Sequence, residues 1–267
     1  MHKIGSIIAS VFLLAAAPAF ASDMSCRGTA GNIEQFRYEW RLKGGLGWLA
    51  GFVIPNDGVA TFRTEFPAAG AHFINSELLI TAPEGKSGGY YLYESEMDPN
   101  GARTTKTVSG YAWGSKAREE RITLDYDKRL ARIYKRTPEK AENKVKPLPP
   151  GQMRDVLTAI YYLRQHAPRI TKPLTTKVYS EGKEYPVVFR PVGTKTFTFD
   201  GKRTNARGFE IVDAPGGKEW PGTVRVYVSD DDRRIPFRIE ITRSMATLQL
   251  DLEKVEACGF MMAGISR

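Results

Sequence analysis

Residues 224–252 read VRVYVSDDDRRIPFRIEITRSMATLQLDL, and the period of this stretch decides the fold. Val224, Val226 and Val228 alternate with other residues, as do Phe237, Ile239 and Ile241, and then Leu248, Leu250 and Leu252. Successive side chains of a strand point to opposite faces, so each trio places its apolar groups on one side of a sheet. Asp230-Asp231-Asp232 lies between the first two trios, where Asp suits a turn.

The same alternation recurs towards the N-terminus. Phe36, Tyr38, Trp40 and Leu42 form one apolar face. Turn signals fall between such runs at Asn56-Asp57-Gly58, Asn100-Gly101, Asp127-Lys128, Glu181-Gly182 and Asp200-Gly201, whose residues tolerate positive φ. About fourteen strands are expected on this pattern. One segment differs. Met153, Val156, Leu157, Ile160 and Tyr161 follow helical spacing between Pro149-Pro150-Gly151 and Pro168, which predicts one amphipathic helix over about 151–166. Residues 137–150, rich in Lys, Glu and Pro, read as an exposed linker. The expected architecture is mainly β. A large curved antiparallel sheet, as a β-spiral, half-barrel or sandwich, wraps one central helix, because a lone apolar stripe must be buried somewhere. The β-rich N-terminal half runs to about 136 and the C-terminal one over 174–257, as a single domain 22–267.

The first 21 residues read as a secretory signal peptide, with Lys3, an apolar run from Ile7 to Ala16 and the small-x-small signal Ala19-Phe20-Ala21. Cleavage after Ala21 and export to the periplasm are expected. The run is too short to span a membrane, and no later apolar run is long enough. The chain carries a net charge of +9 and two cysteines. The charge is spread along the strands. It suits solvated strand faces or an anionic envelope partner, while nucleic acid is implausible for an exported chain with no recognition motif. In an oxidising compartment an even cysteine count favours a Cys26–Cys258 disulfide. Two free thiols or a two-thiolate metal site are the alternatives.

Catalytic motifs are scarce. After the signal peptide only His72 and His166 remain, and a cationic His166 near a helix C-terminus has a structural reason in the helix dipole. Gly44-Gly45-Leu46-Gly47 precedes a strand-like segment, not a helix, and so reads as a turn instead of a phosphate loop. Asp230–Asp232 lacks the spacing of a calcium loop. Glu94 with Glu96, or Glu119 with Glu120, are indistinguishable from solvated strand residues. No metal, cofactor or catalytic residue is assigned. Aromatic residues are the more informative group. Trp40, Tyr91, Tyr93 and Trp113 from the strands, with Tyr161 and Tyr162 from the helix, are the candidate lining of an apolar ligand cavity, core packing being the alternative.

Three stretches carry a family resemblance. Asp155-Val156-Leu157-Thr158-Ala159-Ile160-Tyr161-Tyr162-Leu163-Arg164, the hairpin from Val226 to Pro236, and the strand from Ala246 to Leu252 resemble the bacterial family called domain of unknown function 3108; Phe36 to Trp40 resembles its opening strand. The resemblance implies an exported envelope protein and carries over no catalytic residue. β-spiral and half-barrel envelope-integrity factors and lipoprotein carriers are analogous at the level of fold alone. The expected function is that of a non-enzymatic, monomeric periplasmic protein supporting envelope integrity, holding a lipid, an acylated protein or an extended peptide. The competing readings are a partner of an outer-membrane assembly, docked through a sheet edge, and a carboxylate-dependent envelope hydrolase.

Overall fold

The computed structural model describes residues 33–44, 57–67, 73–83, 89–113, 116–217, 219–220, 222–243 and 246–257. The signal peptide, His72, Trp48 and both cysteines lie outside these residues, so the expectations placed on them do too. The described residues form fourteen strands and one α-helix. The strands are β1 (Ile33–Lys43), β2 (Asp57–Glu65), β3 (Ile74–Thr81), β4 (Tyr90–Met97), β5 (Thr104–Trp113), β6 (Lys116–Asp125), β7 (Leu130–Arg136), β8 (Ala141–Pro147), β9 (Leu174–Ser180), β10 (Lys183–Phe199), β11 (Lys202–Asp213), β12 (Thr223–Ser229), β13 (Pro236–Arg243) and β14 (Ala246–Ala257). The helix α1 is Val156–His166.

All fourteen strands belong to one antiparallel sheet in the order β8-β7-β6-β5-β4-β3-β2-β1-β14-β13-β12-β11-β10-β9. Two meanders are therefore joined at their first and last strands, where Tyr38 pairs with Leu252 and Trp40 with Leu250. The turns form where the sequence places them. Asp200 and Gly201 have φ of 49° and 69°, and Glu181 and Gly182 of 52° and 74°, the positive pair that a tight hairpin requires. One apolar cluster gathers Phe36, Phe62, Leu78, Val187, Phe209, Val226 and Ile239 from both meanders around Leu157, Ala159, Ile160 and Leu163 of α1. The sheet thus wraps the helix, as the alternation predicts.

Two local expectations are corrected. Residues 137–150 are not a linker, because Ala141–Pro147 pair with β7 along their whole length as β8. Their Lys and Glu residues reflect an edge strand, where charge blocks further pairing. The helix also starts later than expected. Residues 152–155 are extended, and Met153 packs with Ile122, Leu124, Ala131, Ile133, Leu148 and Tyr179 instead of lying on the helix.

That extended segment closes the sheet. β8 and β9 are its two ends and do not pair with each other. Thr104 N–H donates to Met153 O (2.8 Å), while Arg154 N–H donates to Lys177 O (3.1 Å) and Tyr179 N–H to Arg154 O (2.7 Å). Lys146 Nζ donates to Gly182 O at 3.1 Å across the same seam. The result is an incomplete barrel whose gap is bridged by a few backbone bonds and one small apolar cluster.

No residue of the helix is exposed, and seven of its eleven are buried, with Val156, Tyr162, Gln165 and His166 partly covered. Its buried polar groups are held at both ends. At the start, Asp155 caps the helix by accepting from Thr158 N–H (2.8 Å), and the Thr107 hydroxyl donates to its other oxygen (2.9 Å). Ser95 and Thr104 each bond the Thr158 hydroxyl at 2.8 Å. Burial pushes the Asp155 carboxyl above the usual carboxylate range against the pull of these hydrogen bonds. Near the helix end Arg164, fully buried, donates two 2.8 Å bonds to Glu34 of β1 and one of 2.9 Å to Arg234 O.

Glu34→Ala is expected to cost about 3–5 kcal/mol, because it strands a buried guanidinium. Pairing Arg164→Met with Glu34→Leu should recover most of that loss in urea denaturation. A Glu34→Ala midpoint equal to that of the wild type would mean the pair is solvated. For Asp155 the sign follows from its raised folded pKa: the folded chain holds the proton more tightly than the unfolded chain. The stability it contributes is complete below the unfolded carboxyl pKa of about 3.9 and is lost as pH rises through the folded value. The free energy of unfolding, measured from about pH 4 upward, should therefore fall off less steeply in Asp155→Asn than in the wild type.

Candidate functional site

The helix is too short for the barrel that surrounds it. Eleven helical residues extend roughly 16 Å, whereas the eleven residues of β1 extend roughly 36 Å. Beyond the helix N-terminus the lumen holds a cavity of about 530 Å³. This is within the range of sites for small organic ligands, roughly 300–1,000 Å³. Val156 and Leu157 form its floor.

The inward rows of the sheet set the character of its walls. In one row Ala60 of β2 faces Ile80, Ile80 faces Tyr91, Tyr91 faces Tyr111 and Tyr111 faces Arg118. In the next, Leu78 faces Tyr93, Tyr93 faces Ser109, Ser109 faces Glu120 and Glu120 faces Lys135. Both rows change from aliphatic to aromatic to charged as they approach the seam. The opposite wall is apolar. Leu42, Leu248 and Ile241 form a cross-strand row, with Val224 and Trp220 beyond it. The cavity is thus greasy on the β1–β4 and β12–β14 sides and polar along β5, β6 and the start of the β9–β10 turn.

Three of the six aromatic residues selected from sequence line this cavity: Trp40, Tyr91 and Tyr93. Trp40 Nε1 donates to Thr81 O at 2.7 Å. Gly58 makes room for that indole, since a Cβ there would lie 2.6 Å from Trp40 Nε1 and 2.2 Å from Thr81 O. Burial pushes the Tyr93 phenol well above its ordinary pKa, and Asp155 adds to the effect, so it stays a neutral hydroxyl. Trp113 is not among the lining residues but its ring lies 5.4 Å from that of Tyr91, beside Tyr111. Tyr161 and Tyr162 lie elsewhere. Tyr161 packs with Ile74 and Met97, against a backbone position at Gly101 (φ 62°) that a side chain would occupy. The Tyr162 ring lies 3.8 Å under Arg154 and 6.2 Å from Phe189. Helical periodicity places a residue on a rod but does not say which end of the lumen it meets.

The groups weighed for chemistry disperse. Glu119 and Glu120 are neighbours in β6 and so point to opposite faces. Glu94 and Glu96 lie on the outer face, where Glu94 is opposite Glu77. Burial and then the Glu94 charge raise the Glu77 carboxyl above its ordinary pKa. Asp231 belongs to a turn, accepting from the Ser229 hydroxyl (2.6 Å) and Arg233 Nε (2.9 Å). Among the described residues no three His, Cys, Asp or Glu side chains are placed to hold a metal ion. His166 is not favoured as a cation. Burial lowers its pKa, and Arg169, Arg154 and Arg234 lower it further.

The sequence places Glu120 beside Glu119 and Arg118 among the charges of solvated strand faces, and neither is expected at the cavity. The signal was present, because Arg118 and Glu120 alternate in phase with Ile122 and Leu124 on one strand face. Glu120 is buried and accepts from Lys135 (2.5 Å) and Arg118 (3.3 Å).

A family model described as protein of unknown function (DUF3108) matches residues 81–253, which contain most of these walls. No curated protein matches the chain. Among solved structures, the chain is similar to a β-barrel-like protein of domain of unknown function DUF1849 from Brucella abortus. The TM-score is 0.56 at 12% sequence identity, over 84% of this chain and 97% of that one. A likeness at that identity concerns the fold.

If the cavity is open to apolar solutes, phenylnaphthylamine, a neutral dye that fluoresces in apolar surroundings, should brighten on mixing with the protein. Leu248→Trp, which projects an indole from the apolar wall into the space, should abolish that signal while leaving the melting temperature within a few degrees. Undiminished dye fluorescence in this variant would place the binding elsewhere.

Proposed function

The chain belongs to the DUF3108 family of proteins of unknown function, and on that premise we propose that it is an exported, non-enzymatic periplasmic protein that holds the acyl chain of an amphiphile in its lumen and so serves the cell envelope. The observation that carries this reading is the unfilled lumen of about 530 Å³ beyond the helix, walled by Leu, Ile, Trp and Tyr side chains. An apolar chain entering it gains burial of roughly 25 cal/mol per Å² without the sheet having to open a new space. Folding leaves this surface uncovered because the short helix meets it only at its first turn, through Val156 and Leu157.

Export is supported by the first 21 residues, and no helix among the described residues is long and apolar enough to cross a membrane. A binding role is favoured over hydrolysis because the acids of adjacent strand positions face opposite ways, and Glu120, which does face the lumen, is tied to two cations. Docking to a larger assembly through a sheet edge has less support. The free edge strand β8 carries Glu142 and Lys144, with Lys140 just before it, and their ion pairs of 2.7 and 2.8 Å populate that edge with charge.

Native mass spectrometry of the protein purified from the periplasm tests the proposal. The expected spectrum shows a polypeptide beginning at Ser22, as a monomer, with one lipid-sized adduct that Leu248→Trp abolishes. A chain that retains residues 1–21 would overturn export, and a protein that neither carries an adduct nor takes one up from added acyl amphiphiles would overturn the binding role.

A further inference from the structure

The lumen is amphipathic, and the charges on its polar side are unevenly paired. Arg118, Glu120 and Lys135 form one inward cluster at the polar ends of the two wall rows. Among the described residues Glu120 is the carboxylate they share, and its side chain is 6% exposed. Lys135 lies at 2.5 Å from it and is itself 28% exposed, so the tighter contact already neutralises the acid. Arg118 is at 3.3 Å and 42% exposed, at the cavity wall. Arg118 and Lys135 thus share one carboxylate beside an apolar space, and Glu142, opposite Lys135 across the strands, is itself bridged to Lys140 and Lys144. The other charged pair of the lining, Arg243 with Glu181 at 3.7 Å, is balanced.

We infer, resting on the acyl-binding reading above, that the ligand is an anionic amphiphile whose carboxylate or phosphate is bound by Arg118, with its chain laid against the Leu42, Leu248 and Ile241 wall. A guanidinium presents a planar fork of donors that matches either oxyanion with two parallel bonds. Ser109 and Tyr111, the cross-strand partners of Glu120 and Arg118, put two hydroxyls on the same inner face. An anionic head gives Arg118 a partner of its own and leaves Glu120 to Lys135. A neutral head leaves the two cations sharing one acid, and a cationic head is repelled by Arg118. A charge-assisted bond of this kind in a partly dry site is worth on the order of tenfold or more in affinity.

The test compares four probes of equal chain length by displacement of phenylnaphthylamine, each below its micelle concentration: palmitate, hexadecyl phosphate, hexadecanol and hexadecyltrimethylammonium. Palmitate or hexadecyl phosphate should displace the dye at concentrations at least about tenfold below those of hexadecanol, and the ammonium should be weakest. The better of the two anions tells whether a carboxylate or a phosphate is the natural head. Arg118→Ala should bring palmitate and hexadecyl phosphate to within a few-fold of hexadecanol measured in the same variant. Arg118→Lys should restore part of the preference for anions, and Glu120→Gln should strengthen anion binding by removing the competing acid. Equal displacement by palmitate, hexadecyl phosphate and hexadecanol, or an unchanged preference in Arg118→Ala, overturns the head-group assignment while leaving the cavity as an acyl site. Failure of the dye and all four probes to bind removes the acyl-binding reading itself.

Discussion

A rod inside a longer tube is the constraint on which this molecule depends. The helix must be enclosed on every side because it carries too few polar residues to face water. The sheet must in turn curve around it, because strands greasy on one face have to bury that face. Both demands are met only where the two elements overlap. Past the helix N-terminus the strands continue without a partner, and the inner face there is left lining a space. The cavity is therefore a product of unequal lengths, 1.5 Å per residue in the helix against about 3.3 Å in the strands.

The rod is kept in place by polar bonds at its two ends. Arg164 and Glu34 are 130 positions apart in sequence and meet in the interior, and all three guanidinium nitrogens donate, two to Glu34 and one to Arg234 O. Burial alone would drive the arginine towards neutrality, and the charge of Glu34 outweighs it, raising the pKa instead. The same pair acts on Tyr38, whose phenol burial drives well above its ordinary pKa and whose hydroxyl donates to Pro236 O at 2.8 Å. At the other end the hydroxyls of Ser95, Thr104, Thr107 and Thr158 surround Asp155 and the helix start. Buried polar groups of this kind are costly unless fully bonded, so they define one axial and rotational position for the helix. A helix held only by apolar contacts could slide along the lumen, and the floor of the cavity would not be defined.

The seam links the fold to the site. β8 and β9 stay unpaired with each other, and near that seam the inner face carries Ser109, Glu120, Lys135 and Arg118 at the level of the cavity, while Ile122, Leu124, Ala131 and Ile133 keep it apolar where Met153 packs. A fully closed barrel has no such break and could be apolar all round. The residues that bridge the gap, from Met153 to Asp155, run directly into the helix, so the closure of the tube and the placement of its plug depend on one segment.

The amino-acid sequence by itself determined the strands, the hairpins and the presence of one helix. Period-two alternation and turn chemistry at Asp200-Gly201 or Glu181-Gly182 are local properties, readable from a few neighbouring residues. It also contained, in the phase of Arg118 and Glu120 with Ile122 and Leu124, the fact that two charges face inward. Which residues share the cavity was decided only in three dimensions. Trp40, Tyr91 and Tyr93 converge there while Tyr161 and Tyr162 do not, because axial position along the lumen follows from strand register and from the end-on bonds of the helix. The strand character of 141–147 and the extended run before Val156 were equally hidden, since composition there reports solvent exposure and not pairing. Local chemistry sets which way a side chain points. The partners it meets depend on contacts between residues far apart in the chain.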